Sequence, residues 1–521
     1  MSEATGQEVA ADAGPENAAH VRGSSLLLVG RMVSLALNFA TQVLIARHLG
    51  QTEFGAFALA FAIAGVAQVA ITLGLHRSVT RYLTADLERG DDPRLVGTIL
   101  LNIVVVVALG AALVALVVLA RDAIAAGSGM DPAATALLLI LILLAPIDAL
   151  DDLLISLYAV FDSPRSIFVR RFVLAPVLRL AVAAAVVLAD GGAITLAMGY
   201  VAAGVFGLLL YGALFVQLLS RRGVIDRMRG RRPVVPAREV IGGSVPLLST
   251  DAVWLLINTF PIFVLTVASG LDEVAAFQVI RPAAALNLLV AASFHVLYMP
   301  VATRLAERGD TAGTNELYWR TTIWVAVLTF PIFAATFALG QPLAGLAFGE
   351  RYEASGVYLS ILSVGYMVHA ALGFNSTTLV AHGRPRTVAV VNGGSAVVSV
   401  IVALLLIPPY GALGAAVAAT GTLLVQNVLL QLALHREVGI SLIHREAVRV
   451  YAIIAIAAGS LLAIESYWSL GLWTLGLVAI ASGIVLYAAR DAMQIGSVFP
   501  GVPDRISRLP GPIGRLGRMA G

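Results

Sequence analysis

A few ionisable residues interrupt the long apolar stretches of this sequence, and their types fit ion pairing, anion binding or proton transfer. Arg31 is followed after seven residues by Asn38, and Asp251 is followed after seven residues by Asn258. Because seven residues make almost two helical turns, each charge shares a helix face with its asparagine. An ionisable group at mid-bilayer costs at least ~2.5–3.5 kcal/mol to insert, so it usually faces protein or water. We predict that these faces contact a substrate or form a gate, with a purely structural ion pair as the alternative.

A second group of charges lies in two consecutive apolar stretches. Asp148, Asp151 and Asp152 are spaced i, i+3 and i+4, which places them on one face of a helix. Arg179 follows in the next helix at about the depth of Asp152, and we predict an ion pair between Arg179 and Asp151 or Asp152. Asp148 is then left nearest the middle of the membrane.

The elements that position these residues are membrane helices. Hydrophobic residues make up 59% of the 521 residues and charged residues 12%, about half the roughly 25% charged residues of a soluble domain. A helix needs ~20 apolar residues to span a bilayer, and fourteen such runs occur between residues 24 and 489. The fifth predicted helix covers residues 172–189, and the eleventh and twelfth cover residues 386–407 and 411–434. We therefore predict an all-α polytopic membrane protein, and the long helices argue against an outer-membrane β-barrel.

The residue types exclude several kinds of chemistry. The sequence has no cysteine, which excludes disulfides and thiolate-ligated metal sites. It contains no Walker motif, no HExxH and no GxSxG, so nothing in it predicts ATP hydrolysis or proteolysis. We expect no enzyme activity, no cofactor and no metal site.

Arginine placement predicts the orientation of the chain. All 34 cationic residues are arginines, and with a cytosolic N-terminus 28 of them are cytosolic, while only Arg47, Arg121 and Arg351 face outward. The remaining three, Arg31, Arg179 and Arg281, lie inside predicted helices. Positive residues are enriched on the cytosolic side of membrane proteins. We therefore predict a multi-pass protein of a bacterial inner (plasma) membrane with both termini in the cytosol.

The first six predicted helices recur about 220 positions later. Residues 50–57, Gly-Gln-Thr-Glu-Phe-Gly-Ala-Phe, align with residues 270–277, Gly-Leu-Asp-Glu-Val-Ala-Ala-Phe, and further matches follow in order at nearly the same offset. Because six is an even number, both copies enter the membrane from the same side, and a pseudo-two-fold axis runs along the membrane normal. Two such lobes around a central cavity are typical of alternating access, so the repeat predicts a secondary transporter.

The repeat divides the chain into six predicted parts. These are a disordered cytosolic tail (1–22), a first lobe of helices 1–6 (23–219), a basic cytosolic linker (220–239), a second lobe of helices 7–12 (240–436), helices 13 and 14 (437–489), and a basic cytosolic tail (490–521). Attraction to anionic lipid explains the basic segments, at about 1 kcal/mol per residue near the surface. We expect no nucleic-acid partner.

The same offset aligns the charged positions of the two lobes. Arg31 aligns with Asp251, so both faces are predicted to look toward the central cavity. Asp148 aligns with His369, and a carboxylate and an imidazole at matched depth could relay protons that drive transport. Alternatively, Asp148 and His369 are each satisfied polar groups within their own lobes.

Two segments carry a resemblance to a known family: residues 44–57, Leu-Ile-Ala-Arg-His-Leu-Gly-Gln-Thr-Glu-Phe-Gly-Ala-Phe, and residues 411–418, Gly-Ala-Leu-Gly-Ala-Ala-Val-Ala. With its plan of six, six and two helices, the chain resembles the multidrug/oligosaccharidyl-lipid/polysaccharide (MOP) exporter superfamily. Within it, the closest resemblance is to the polysaccharide transporter branch, the Wzx-type oligosaccharide flippases. The resemblance implies a V-shaped cavity and outward movement of an undecaprenyl-diphosphate-linked glycan.

The resemblance also implies cavity arginines that hold the diphosphate. Arg31 and Arg281 could play this part, and guanidinium groups bind phosphate well. For Arg281, which precedes a helix-kinking Pro282, snorkelling toward the outer interface is the alternative. Arg77 and Arg81, spaced i and i+4 at the inner end of helix 2, could recognise phosphate at a cytosolic mouth, with positive-inside anchoring as the alternative.

These observations predict a flippase that moves a lipid-linked oligosaccharide from the cytosolic to the outer leaflet for cell-surface polysaccharide biosynthesis. An ion-coupled multidrug or cation antiporter of the same fold is one alternative. A membrane-embedded glycosyltransferase or polymerase is another, disfavoured by the short outer loops. The expected partners are the lipid-linked glycan, membrane lipids, and a glycan polymerase or glycosyltransferases of the same pathway. We expect a monomer.

Overall fold

The fold was analysed in a computed structural model that describes residues 29–72, 74–123, 131–161, 168–244 and 248–493. The predicted tail 1–22 and residues 494–521 of the C-terminal tail lie outside the described residues. Within the described ranges the chain forms helices and no strand, and thirteen helices are long and apolar enough to cross a membrane. The all-α polytopic class is thus confirmed.

One of these thirteen helices is a pair. The helix Pro385–Val438 contains Gly411, whose φ of 54° and ψ of −133° are non-helical. A Cβ on Gly414 would lie 2.1 Å from the carbonyl oxygen of Leu406, so the two arms approach closely at the bend. A side chain would strain Gly411 and clash at Gly414. The described residues therefore contain fourteen membrane helices, which agrees with the sequence.

We label the membrane helices in chain order: α1 Val29–His48, α2 Gln51–Thr72, α3 Asp92–Leu119, α4 Pro132–Val160, α5 Phe168–Leu188, α6 Ala193–Arg221, α7 Asp251–Ser269, α8 Leu271–Ala285 with Leu289–Glu307, α9 Thr311–Ala338, α10 Glu350–Ala381, α11 and α12 the two arms of Pro385–Val438, α13 Arg445–Trp468, and α14 Gly471–Met493. The chain divides into two compact units, one ending at Val279 and one beginning at Ile280. Helices α1–α7 and the start of α8 belong to the first unit.

In the first unit, α4 packs against both α2 and α6, and these contacts fix its rotation. Toward α2, the buried residues Ala145 and Ala149 share a cluster with Ala67. Toward α6, Tyr158 contacts Tyr211 edge-on, with ring centroids 5.9 Å apart, and donates its hydroxyl to the Tyr211 carbonyl at 3.0 Å. With these residues facing α2 and α6, the acidic face of α4 is held in a defined direction.

The basic linker 220–239 belongs to the first unit and packs against the start of α3. Val234 donates its backbone N–H to the Pro93 carbonyl at 2.9 Å, and a Cβ on Gly97 would lie 1.9 Å from the Val234 carbonyl oxygen. Arg227 forms an ion pair with Asp92. The linker is therefore held by protein contacts, in addition to any attraction to anionic lipid.

An ion-pair network continues from the linker to the helix Leu75–Arg89. Arg94 lies 3.1 Å from Asp86 and also pairs with Glu239. Burial raises the pKa of Asp86, while the charge of Arg94 acts in the opposite direction. The network ties the start of α3 to the end of the linker.

In the second unit, α9 is surrounded by α10, α13 and α14. Its buried aromatic residues include Tyr318 and Phe330. Trp324 donates its indole N–H to the carbonyl of Met493, at the end of α14, at 3.0 Å. The two helices predicted outside the repeat are thus part of the core of this unit.

Candidate functional site

The acidic face of α4 is the centre of the charged site in the first unit. Asp148, Asp151 and Asp152 each interact with a different partner, supplied by α5 or α2. Three carboxylates within one helical turn repel each other, so separate partners reduce the cost of holding them together. The prediction that they share a helix face is consistent with these contacts.

Asp151 forms an ion pair with Arg170, which sequence analysis had counted among the cytosolic arginines. The Arg170 Nε and Nη2 atoms lie 2.7 Å and 2.6 Å from Asp151 Oδ1. The guanidinium also lies over the ring of Tyr211, 5.3 Å from its centroid. A Cβ on Gly207 would lie 2.4 Å from Arg170 Nη1, so glycine leaves the space that the guanidinium fills.

Arg170 lies in a π-helical segment, Phe168–Leu174, that opens α5. The sequence prediction began this helix at residue 172, which left Arg170 in a loop. Arg170 is only 5% exposed, and a buried guanidinium requires a partner such as Asp151. The apolar residues Phe168 and Val169 before it are the sequence signal for an earlier helix start.

Arg179 pairs with Asp148, so the predicted pairing of Arg179 with Asp151 or Asp152 is wrong in its partner. Its Nη2 atom lies 3.8 Å from Asp148 Oδ1. The guanidinium also lies 5.7 Å from the ring centroid of Phe61 and 5.9 Å from that of Tyr200. The physical reason is that Arg170 already occupies the position beside Asp151.

Asp152 accepts a hydrogen bond from the side-chain amide of Gln68 on α2, at 2.7 Å. Asp251 of α7 is 7% exposed and lies near enough to Asp152 for the two charges to interact. Arg171 of α5 also acts on Asp152, with a charge of the opposite sign. Four aspartates and three arginines (Arg170, Arg171 and Arg179) give this group a formal charge of −1, and a proton or a cation could neutralise the excess carboxylate.

Arg31 and Asn38 of α1 are exposed, in contrast to Asp251. Asn38 donates its amide N–H to the Ser34 carbonyl at 2.8 Å, and Asn258 donates in the same way to the Trp254 carbonyl at 3.0 Å. The aligned asparagines thus make the same bond to the residue four positions earlier.

Two predicted site residues lie in the second unit. His369 Nδ1 is 3.1 Å from the side-chain amide nitrogen of Asn427. Asp148 and His369 therefore each have a partner within their own unit, as the alternative to a proton relay expects. Arg281 is partly buried and precedes Pro282, after which α8 passes through the 3₁₀ turn Leu286–Leu288.

Arg77 and Arg81 lie on the helix Leu75–Arg89, which follows α2. Their side chains lie outside the described residues, so their predicted part in a cytosolic mouth stays a prediction.

The aligned segments 50–57 and 270–277 contact each other within the first unit. Thr52 Oγ1 donates to Asp272 Oδ1 at 2.5 Å, and the Gln51 amide donates to the Asp272 carbonyl at 3.2 Å. A Cβ on Gly55 would lie 2.0 Å from the Leu271 carbonyl oxygen, so α2 approaches the backbone of α8 closely here.

Comparison with known proteins identifies the family of the chain. Residues 20–306, more than half of the sequence, match the family described as polysaccharide biosynthesis protein. The chain belongs to this family. A comparison of the sequence with curated protein sequences found no match.

Several solved structures match the fold of this chain, and the titles of two of those described here name the MOP superfamily. A structure titled "Lipid II flippase MurJ, inward closed conformation" matches with a TM-score of 0.66 at 12% identity, covering 92% of this chain and 100% of that one. An inward-facing multidrug resistance MATE family transporter matches with a TM-score of 0.60 at 16% identity, covering 79% and 98%. A MOP superfamily transporter from Pyrococcus furiosus matches with a TM-score of 0.54 at 15% identity, covering 81% and 95%. At these identities the matches show the fold, and the predicted resemblance to the MOP superfamily is confirmed at the level of the fold.

Proposed function

We propose that this protein is a flippase that moves an undecaprenyl-diphosphate-linked oligosaccharide from the cytosolic to the outer leaflet for cell-surface polysaccharide biosynthesis. The observation that carries the proposal is the match to the polysaccharide biosynthesis family over residues 20–306. Movement of a lipid-linked substrate needs no bond to be broken, so a site made of ion pairs and hydrogen bonds is sufficient for it.

The extent of the structural matches also favours a flippase. The MurJ structure, whose title names lipid II, covers 92% of the chain, whereas the MATE transporter covers 79%. A multidrug antiporter fold of that length leaves about a fifth of this chain unmatched. Helices α13 and α14 pack on α9 in the core of the second unit. Their place in this core favours a fold of the length of the MurJ structure over the shorter fold of the MATE transporter.

The arginine distribution supports a plasma-membrane protein with cytosolic termini, as predicted from the sequence. In this orientation the segments 50–57 and 270–277 lie on the outer side. The diphosphate would be recognised by exposed Arg31 and by Arg281, while the carboxylates around Asp148 and Asp251 would bind a coupling proton or cation.

An ion-coupled multidrug or cation antiporter is the second candidate. The excess of one carboxylate around α4, a formal charge of −1, favours it, because carboxylates attract organic cations and coupling ions. The flippase proposal instead assigns these carboxylates to coupling.

Reconstitution tests the choice between these functions. Lipid-linked oligosaccharide extracted from the producing cells would be placed in proteoliposomes, and its transfer would be followed by cleavage with an impermeant glycosidase. The oligosaccharide of the inner leaflet becomes accessible to the glycosidase only after transfer. We expect it to be cleaved faster in vesicles that contain the protein than in protein-free vesicles. Absence of transfer, together with ethidium efflux driven by a proton or sodium gradient, would contradict the flippase proposal and support the antiporter.

A further inference from the structure

The second unit contains a cavity, lined by both polar and apolar residues, that is separate from the charged residues described above. The cavity has a volume of 910 Å³ and lies between the end of α9, the start of α10 and the end of α13. Its polar lining includes Gln341, Glu353, Ser360, Thr420, Glu465 and Ser469. Pockets for small ligands usually measure roughly 300–1,000 Å³, so this cavity is large enough for a ligand with several polar groups.

Glu465 stabilises the wall of this cavity. One of its carboxylate oxygens accepts the backbone N–H of Gly471 at 2.9 Å, and the other accepts the hydroxyl of Thr474. Glu465 thus joins the end of α13 to the beginning of α14 and fixes the connecting turn. The cavity wall is held in place without a ligand.

The other lining groups differ in their availability. Ser360 and Thr420 donate their hydroxyls to backbone carbonyls, at 2.7 Å to Phe337 and 2.9 Å to Ile361. Gln341 and Glu353 have exposed side chains. An amide and a carboxylate are therefore available to a ligand, with two hydroxyl oxygens as further acceptors.

The chemistry of the lining favours a neutral polyol. A carboxylate accepts hydrogen bonds from hydroxyl groups strongly, and an amide both donates and accepts. Among the described residues that line the cavity none is cationic, while Glu353 and Glu465 are acidic. A phosphate group would be repelled here, whereas the hydroxyl groups of a sugar would be bound.

Three exposed aromatic residues lie near lining residues in the sequence. Tyr467 and Trp468 follow the lining residue Ser466, and Trp473 follows Gly471, which also lines the cavity. The exposed fractions of these residues are 81%, 62% and 87%. Exposed aromatic residues can anchor a helix at the membrane interface, and their rings also offer flat apolar surfaces to the C–H faces of sugar rings.

We propose that this cavity binds the sugar residues of the lipid-linked oligosaccharide on the outer side of the membrane. The proposal rests on the proposed function for the identity of the glycan and for the side of the membrane. The cavity binds sugar hydroxyls, and the diphosphate stays outside it. Glu353 and Gln341 are the residues that determine sugar binding.

Photo-crosslinking in cells that make the polysaccharide tests this site with the natural glycan. A benzoylphenylalanine replaces Val357, which lines the cavity, or Leu346, an exposed residue of the nearby helix Gly340–Phe348 that does not line it. After irradiation, mass spectrometry measures the yield of sugar-bearing peptides. We expect at least about a tenfold higher yield at 357 than at 346. Equal yields, or phospholipid adducts alone at 357, would overturn the proposal.

A charge-neutral variant gives the second measurement. Glu353→Gln removes a charge-assisted hydrogen bond and should lower the adduct yield at 357 by about tenfold. Glu350→Gln, an exposed neighbour that does not line the cavity, is the matched control and should leave the yield unchanged. An unchanged yield in Glu353→Gln would remove Glu353 from the site and contradict the proposal.

The vesicle transfer assay separates this inference from the proposed function. Transfer of the oligosaccharide without a sugar-bearing adduct at 357 would leave the flippase in place and overturn the sugar site. An adduct at 357 in a protein that transfers no oligosaccharide would support the sugar site and overturn the flippase.

Discussion

Thr52 and Asp272 are hydrogen-bonded to each other although 220 residues separate them, and this separation equals the repeat offset. They are therefore aligned positions of the two repeats. Aligned positions contact each other when they lie close to a two-fold axis, because the axis brings each residue next to its own counterpart. The contact joins the starts of α2 and α8 within the first unit. A contact between aligned positions is what the predicted repeat expects, and the repeat stays a prediction.

A covalent link between these positions should stop transport. The sequence has no cysteine, so Thr52→Cys/Asp272→Cys carries only the two introduced thiols. If the contact opens during alternating access, a disulfide or a short dithiol-reactive bridge should abolish oligosaccharide transfer, and a reductant should restore a disulfide-blocked protein.

Each single-cysteine variant treated in the same way is the control and should remain active. Full transfer by the bridged protein would mean that this contact stays closed throughout the cycle.

Loss of one partner from the Arg170–Asp151 pair should destabilise the protein strongly. Both side chains are largely buried, with exposed fractions of 6% and 17%. Removing one partner of a buried ion pair typically costs about 3–5 kcal/mol, because the other charge is left without compensation. We expect Asp151→Asn to lower the thermal unfolding temperature in detergent markedly.

Arg221, an exposed arginine at the end of α6, supplies the control for this comparison. Arg221→Ala should leave the unfolding temperature nearly unchanged, and Arg170→Met/Asp151→Leu should recover much of the loss. Equal unfolding temperatures for Asp151→Asn and Arg221→Ala would show that the pair contributes little.

Fold and site differ in how far they can be predicted from this sequence. The fourteen helices follow from apolar runs, and Gly411 breaks a continuous helix at the predicted boundary between helices 11 and 12. The partners of the charges do not follow, because they depend on the rotation of each helix about its axis. Arg179 pairs with Asp148 since Arg170 takes Asp151, and Arg170 was assigned to a loop.

Arg31→Ala and Arg281→Ala are expected to abolish glycan export without removing the protein from the membrane. Export is lost because a diphosphate would lose its guanidinium contacts. Arg31 is exposed, so its removal should not affect folding. Surface polysaccharide and membrane-protein abundance would be measured in the same cells.

Arg121→Ala is the matched control for these variants. Arg121 is exposed and lies 3.4 Å from Asp122 in a predicted outer loop. Normal export in both Arg31→Ala and Arg281→Ala would exclude a phosphate-binding role for these arginines.

Single cysteines at the aligned asparagines should report the predicted water-filled cavity. Asn38→Cys and Asn258→Cys are expected to react with an impermeant thiol reagent added from one side of the membrane, because both asparagines are at least partly exposed. The rate of labelling would be measured from each side separately.

Ala403→Cys, at a fully buried position, should stay unlabelled under the same conditions. If Asn38→Cys and Asn258→Cys are equally unreactive from both sides, the assignment of these faces to a cavity is wrong.

The π-helical segment Phe168–Leu174 changes the directions in which the side chains of α5 point around the helix axis. Arg170 and Arg179 are nine residues apart, and in a regular α-helix they would point about 180° away from each other. The wider π-helical turn holds one residue more than an α-helical turn, so the angle between the two arginines falls by about 100°. Both guanidinium groups can then reach the carboxylates of α4. Deleting one residue from this segment should therefore uncouple one arginine, even though no charged residue is changed.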